Sequence, residues 1–314
     1  MWSGNTPAGR AAIVTQQAYL HTTAKISSDD MNQIHPLWGF VADVNGKPTV
    51  VDDDYDPKGV GLMRGFFAGA DRSVLIVLDL GRPMSWSTRV YQPDGRVTRD
   101  WHPLPVDGGA AVVRVPPGRD QRTIAVAAGP DYRQSSMIRM GNAWSADVHD
   151  VDTRLPWDAA YPVTGPDVTM SADSAQTLCK QLVEDGTIGN DPYAWGGGSP
   201  RWCAYGQTPD GRTVEVGDAQ LDNDPSHVYF MLVGKGTVQR GQAGPVDPNA
   251  ALPVIVKLPD AQGWVVARKG ALLKYRTANG TWQGGRHNAA LLPPAAARVW
   301  VDLGDHAVDV PLPG

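Results

Sequence analysis

Short apolar runs alternate with turn-forming residues along almost the whole chain, and that rhythm predicts strands far more often than helices. The clearest stretch is 202–234, WCAYGQTPDGRTVEVGDAQLDNDPSHVYFMLVG. Asp210-Gly211 marks a tight turn, because two-residue hairpin turns need positive φ, which Asp and Gly tolerate. Apolar and β-branched runs at 213–216 and 228–233 predict strands on either side of an Asp-rich loop. A looser version occupies 38–69, WGFVADVNGKPTVVDDDYDPKGVGLMRGFFAG. There Asn45-Gly46-Lys47 stands where Asp210-Gly211-Arg212 stands, and Asp56-Pro57 where Asp224-Pro225 stands.

The same order continues around both stretches. The run 73–80 (SVLIVLDL) is apolar enough for a central strand, and 252–258 (LPVIVKL) answers it. Segments 86–91 and 96–101 flank Pro93-Asp94-Gly95 as a hairpin. Segments 111–115 and 123–127 flank Pro116-Pro117-Gly118 as a further strand pair. In the second half Trp264 answers Trp86, Tyr275 with Asn279-Gly280 answers Tyr91 with Asp94-Gly95, and 298–302 with 306–310 closes the chain. The N-terminal segment 11–26 suits an amphipathic helix or a long strand, and Ser27-Ser28-Asp29-Asp30 reads as a helix cap. The best helix spans 172–186, with Ser171 to cap its start and Gly186 to end it.

The expected fold is therefore mainly β, with two tandem β-sandwich or β-barrel-like modules related by internal duplication. One short helix packs on the second. The first module covers 1–140, an ordered connector with Trp144 and Trp157 covers 141–170, and the second module covers 171–314. Trp38, Trp86, Trp202 and Trp264 fall at matched positions, which favours core anchors. A propeller is the competing architecture, but no WD or kelch signature repeats.

Composition sharpens this picture. Of 33 acidic residues in 314, only Glu184 and Glu215 are glutamate. Aspartate favours turns and caps, and with 35 Gly and 26 Pro the chain is poor in helix formers. The bias towards Ala, Gly, Pro, Arg, Val and Asp resembles proteins of high-GC bacteria, particularly actinobacteria. A formal net charge of −5 leaves no electrostatic footprint for nucleic acid. No run reaches the roughly 20 apolar residues that span a bilayer, and Met1-Trp2-Ser3-Gly4 does not open a signal peptide. The expectation is the soluble part of a secreted or membrane-anchored protein whose anchor or signal is absent. An ordinary cytoplasmic protein starting at Met1 is the alternative.

Candidate chemistry is sparse. Cys179 on the predicted helix and Cys203 on the strand 202–207 suit a disulfide, worth roughly 3 kcal/mol on chain-entropy arithmetic. The chain has no GxSxG, HExxH, P-loop or SxxK motif, so no catalytic residue is nominated. Carboxylates cluster at Asp52, Asp53, Asp54 and Asp56, at Asp147, Asp150 and Asp152 beside His149, and at Asp222 with Asp224. Such loops can hold calcium, but none has EF-hand spacing, so no cofactor is expected. Tyr193 and Trp195 sit in a Gly-rich loop without a counterpart in the first half, and exposed rings there would stack on a sugar or anchor a partner. The expected function is thus non-catalytic binding of a protein or cell-envelope component outside the cytoplasm. A cell-envelope glycan binder and an Asp-dependent hydrolase are the alternatives.

Overall fold

In a computed structural model, the described residues are 1–19, 34–55, 64–116, 123–129, 137–138, 140–141, 152–164, 191, 197–198, 201–221, 224–234 and 236–313. Among them the regular elements are all β. The helix expected over 172–186 and the cap at 27–30 lie outside these residues, as do Cys179, Tyr193 and Trp195. The chain divides into two compact units, Met1–Arg89 with Arg99–Asp150, and Val151–Gly314 with Val90–Thr98.

The first unit is layered. β1 (Trp2–Thr6), β2 (Gly9–Tyr19), β3 (Ile34–Val44) and β4 (Lys47–Tyr55) form an antiparallel meander. The segment left open between helix and strand is thus strand β2 as far as Tyr19. Asn45 and Gly46 both take positive φ and close the β3–β4 hairpin, as their sequence predicts. β5 (Gly65–Ala68), β6 (Val74–Leu78), β9 (Val106–Asp107), β10 (Ala110–Arg114) and β12 (Met140–Gly141) make a second sheet in the order β12-β5-β6-β10-β9. β7 (Met84–Tyr91), β8 (Val97–Pro103) and β11 (Ala125–Ala128) make a third, of which Val90–Tyr91 and Val97–Thr98 count with the second unit.

Every residue of β6 is buried, and its two faces feed different cores. Val74, Ile76 and Leu78 meet Ile13, Phe40 and Phe66 beneath the meander. Leu75 and Val77 meet Met84 and Val126 of the third sheet. A strand covered on both faces loses the apolar–polar alternation of a half-exposed one, which is why this run is apolar throughout.

The second unit pairs two sheets. β13 (Ala159–Pro162), β14 (Gly197–Gly198), β15 (Trp202–Gln207), β16 (Thr213–Leu221), β17 (His227–Gly234) and β18 (Thr237–Pro245) form one, with β13 parallel to β15 and β14 on β16. β19 (Val254–Leu258), β20 (Gly263–Thr277), β21 (Gln283–Leu292), β22 (Ala296–Asp302) and β23 (Ala307–Pro311) form the other. Val214, Val216, Phe230 and Leu232 pack against Val254, Val256, Val265 and Ala267 between them, beside Leu155, Trp157 and Trp202.

β20 is the longest strand, 15 residues, and it does not run straight. Its register against β21 shifts between Ala267 and Leu272, where Gly270 has φ +82° and donates its N–H to Asn288 Oδ1 at 2.7 Å. Bulges bend a strand and increase its twist. The first half of β20 pairs with β19 and the second half with β22, so the sheet curls into a half-barrel around Trp264, Val266, Leu273, Val299 and Val301.

One expectation needs correcting. Segments 111–115 and 123–127 are not partners: β10 pairs with β6 and β9, whereas β11 pairs with β7. The local pattern encodes that each is a strand and carries nothing about its neighbour. Nor do the described sheets show the internal duplication. After β3–β4 the next strand, β5, joins a different sheet, while β15–β16 continues directly into β17. Trp38 lies in mid-strand, half-buried, with the Arg64 guanidinium 4.9 Å from its ring centre. Trp202 opens its strand, is 1% exposed, and packs 5.0 Å from Trp157.

Candidate functional site

Among the described acidic residues singled out in the sequence, Asp152 and Asp224 hold loop residues in place. Asp152 takes Arg154 and Arg201, each at 2.8 Å, and the Arg154 hydrogen bond holds its carboxyl below the usual range. Asp224 accepts the Tyr91 hydroxyl at 2.6 Å. Asp52 accepts the N–H of Asp53. Asp56, Asp147, His149, Asp150 and Asp222 lie outside the described residues, and among those described no three His, Cys, Asp or Glu side chains are grouped to hold a metal ion. Cys203 is buried in β15, and no described cysteine is a free thiol.

β16 carries two buried carboxyls on opposite faces. Asp218 Oδ2 accepts from Leu155 N–H at 2.9 Å and from the Ser226 hydroxyl at 3.0 Å. Burial nevertheless raises its pKa, against those two donors. Trp202 Nε1 and Asp218 Oδ1 are both buried without a hydrogen-bond partner. Nearby, Thr153 N–H donates to Gln220 Oε1 and Ser226 N–H donates to Thr153 Oγ1, so residues 152–155 are stitched to the end of β16.

Glu215 faces the other way, between Tyr205 of β15 and Met231 of β17. It is 1% exposed, its Oε2 has no partner, and burial alone pushes its pKa up to about 7. At the far end of this face the His227 ring stacks on Tyr91, with centroids 3.9 Å apart and planes 16° from parallel. His227 Nδ1 lies 2.7 Å from the Pro225 carbonyl, which can only accept, so Nδ1 carries the proton of the neutral ring. Burial lowers the pKa of this histidine. The hydrogen bonds of Asp218 and His227 tie residues 153–155 and 225–227 to the ends of β16 and β17.

A different arrangement occupies the outside of the curled sheet. Val299 and Val301 point into the half-barrel, so Arg298 and Trp300 lie on its outer face. Trp300 is opposite Lys274 on β20 and Asp309 on β23. Asp309 binds two guanidiniums: Arg276 Nη2 at 3.1 Å and Arg298 Nε at 2.7 Å. The Arg276 guanidinium lies 4.8 Å from the centre of Trp282, and Trp282 lies 5.6 Å from Trp300 at 56°. Arg276 Nε is buried without a hydrogen-bond partner. Both indoles are half-buried, so each retains an accessible part.

No family model, curated protein or solved structure matches this chain. The arrangement around Asp309 was missed in the sequence because its members, at 276, 282, 298, 300 and 309, form no motif. The available signal was the alternation at 298–301, which sets Arg298 and Trp300 opposite Val299 and Val301.

Proposed function

We propose that this chain is a binding protein, and that the outer face of β20, β22 and β23 is its contact surface. The observation that carries this reading is the assembly of two half-buried indoles and two arginines around Asp309. Tryptophan and arginine dominate the energetic centres of protein interfaces. Here the long side chains are already held by ion pairs and stacking, so little further ordering would be needed on binding. The partner class is another protein or a component of the cell envelope, and the location is outside the cytoplasm. No described helix is long and apolar enough to cross a membrane. A disulfide between Cys203 and Cys179 belongs to the same reading, and the lack of a free thiol among the described cysteines supports it. Mass analysis without reduction should find the two joined in the native protein.

The test compares the full chain with Trp282→Ala/Trp300→Ala for retention of cell-envelope proteins and glycans. Retention should fall at least tenfold in the variant while its melting temperature stays within a few degrees. Equal retention by both proteins would remove this surface from the account. Carbohydrate binding is a second reading, favoured by the accessible part that each indole retains, against which a sugar ring can lie. A glycan-array signal that disappears in the same variant would select it.

A further inference from the structure

We propose that Arg276, Asp309 and Arg298 form a charge cluster one anion short of balance, and that the missing anion is an Asp or Glu side chain of a protein partner. This rests on the reading of that face as the binding surface. Two guanidiniums share one carboxylate, which leaves the three groups with a net charge of +1. An arginine offers five N–H donors in a planar fork. Arg276 directs Nη2 at Asp309, and Arg298 directs Nε at its carboxylate and Nη2 at its carbonyl oxygen. Donors on both residues therefore remain for a second acceptor. Lys274, opposite Trp300 in the sheet, adds another positive charge.

The surroundings strengthen such a contact. Both arginines and Asp309 are only about one-third exposed, 35%, 38% and 28%, so a carboxylate arriving here is partly shielded from water. Charge-assisted hydrogen bonds are roughly twice as strong as neutral ones, and the guanidinium fork matches a carboxylate better than an ammonium would. Trp282 and Trp300 border the cluster and offer apolar surface to the neighbours of that acidic residue. The occupant that fits is a segment in which Asp or Glu lies within two or three positions of an aromatic or large aliphatic side chain.

The test is selection of random 12-residue peptides displayed on phage, with the full chain as bait. Enriched sequences should carry an acidic residue close to an aromatic or aliphatic one, and should fail to bind Trp282→Ala/Trp300→Ala. An enriched peptide is then synthesised with its Glu or Asp and with Gln or Asn, and both are titrated calorimetrically into the unmodified protein. The amide version should bind at least tenfold more weakly, a comparison that leaves the fold of the bait untouched. Arg298→Lys, which keeps the charge and loses the fork, should also weaken the acidic peptide. Tryptophan-dependent peptides without acidic residues, or amide versions binding within twofold, would overturn the proposal while leaving the surface in place. Peptides indifferent to the tryptophan substitutions, or no enrichment at all, would overturn both. Uronic-acid glycans bound by the native chain and lost in Arg298→Lys would replace the protein partner with an acidic sugar.

Discussion

Glu215 is one of two glutamates in the chain, and it sits where a carboxylate is least welcome. Its carboxyl titrates near the ordinary 4.5 when unfolded and at about 7 when folded. The folded state therefore holds the proton more tightly, and stability falls as pH rises from 4.5 towards 7, then levels off above that. The shift corresponds to on the order of 3 kcal/mol. Melting curves between pH 5 and pH 8 should show this decline, and Glu215→Gln should abolish it. Persistence of the decline in the variant would refute the assignment. His227 acts in the opposite sense, because its depressed pKa costs stability as pH falls through 6.5, so the comparison with Glu215→Gln isolates the glutamate. A strand with Glu215 between Val214 and Val216 was legible as a strand. The burial of that carboxyl was not, since solvent exposure of the alternate face depends on what lies over it.

At the scale of elements, the strands best read from sequence were those whose pattern is set locally. The run 73–80 contains β6, the turns at Asn45-Gly46 and Asp210-Gly211 close their hairpins, and 306–310 overlaps β23. Partnerships across long separations were not readable, as the separation of β10 from β11 shows. The bend in β20 also escaped, because a bulge depends on both strands of the pair. Its entry is equally demanding: Gly263 has φ +99°, and a Cβ there would collide with the Leu292 carbonyl oxygen. Gly263→Ala should destabilise the protein by more than about 2 kcal/mol in denaturant titration. A loss below 0.5 kcal/mol would show that β20 and β21 can separate at this point without cost. The candidate surface depends on this bend, because the second half of β20 carries Lys274 and Arg276 away from the core shared with the first sheet.

For the whole molecule, the division into two units has a consequence for dissection. Val90–Thr98 belongs to the second unit, where Pro93 accepts the Gln242 N–H at 3.1 Å and Tyr91 holds both Asp224 and His227. A fragment 151–314 lacks that segment. It should melt below Tyr91→Phe in the full chain, and Tyr91→Phe should itself lose about 1.5–3 kcal/mol, the range for a hydrogen bond to a charged group. A fragment as stable as the full chain would mean that 90–98 adds nothing to the second unit. Sequence alone placed a connector at 141–170. Within it Leu155, Trp157, Tyr161 and Val163 supply core to the second unit, and β13 extends its first sheet.

The most direct measurement for the binding surface is a comparison of the native chain with the tryptophan variant by peptide selection, with folding checked in parallel. The native chain and Trp282→Ala/Trp300→Ala, matched in circular dichroism and melting temperature, are offered the same displayed library. The account predicts that the native chain enriches a common sequence and the variant does not. The same sequences recovered on both proteins would contradict it.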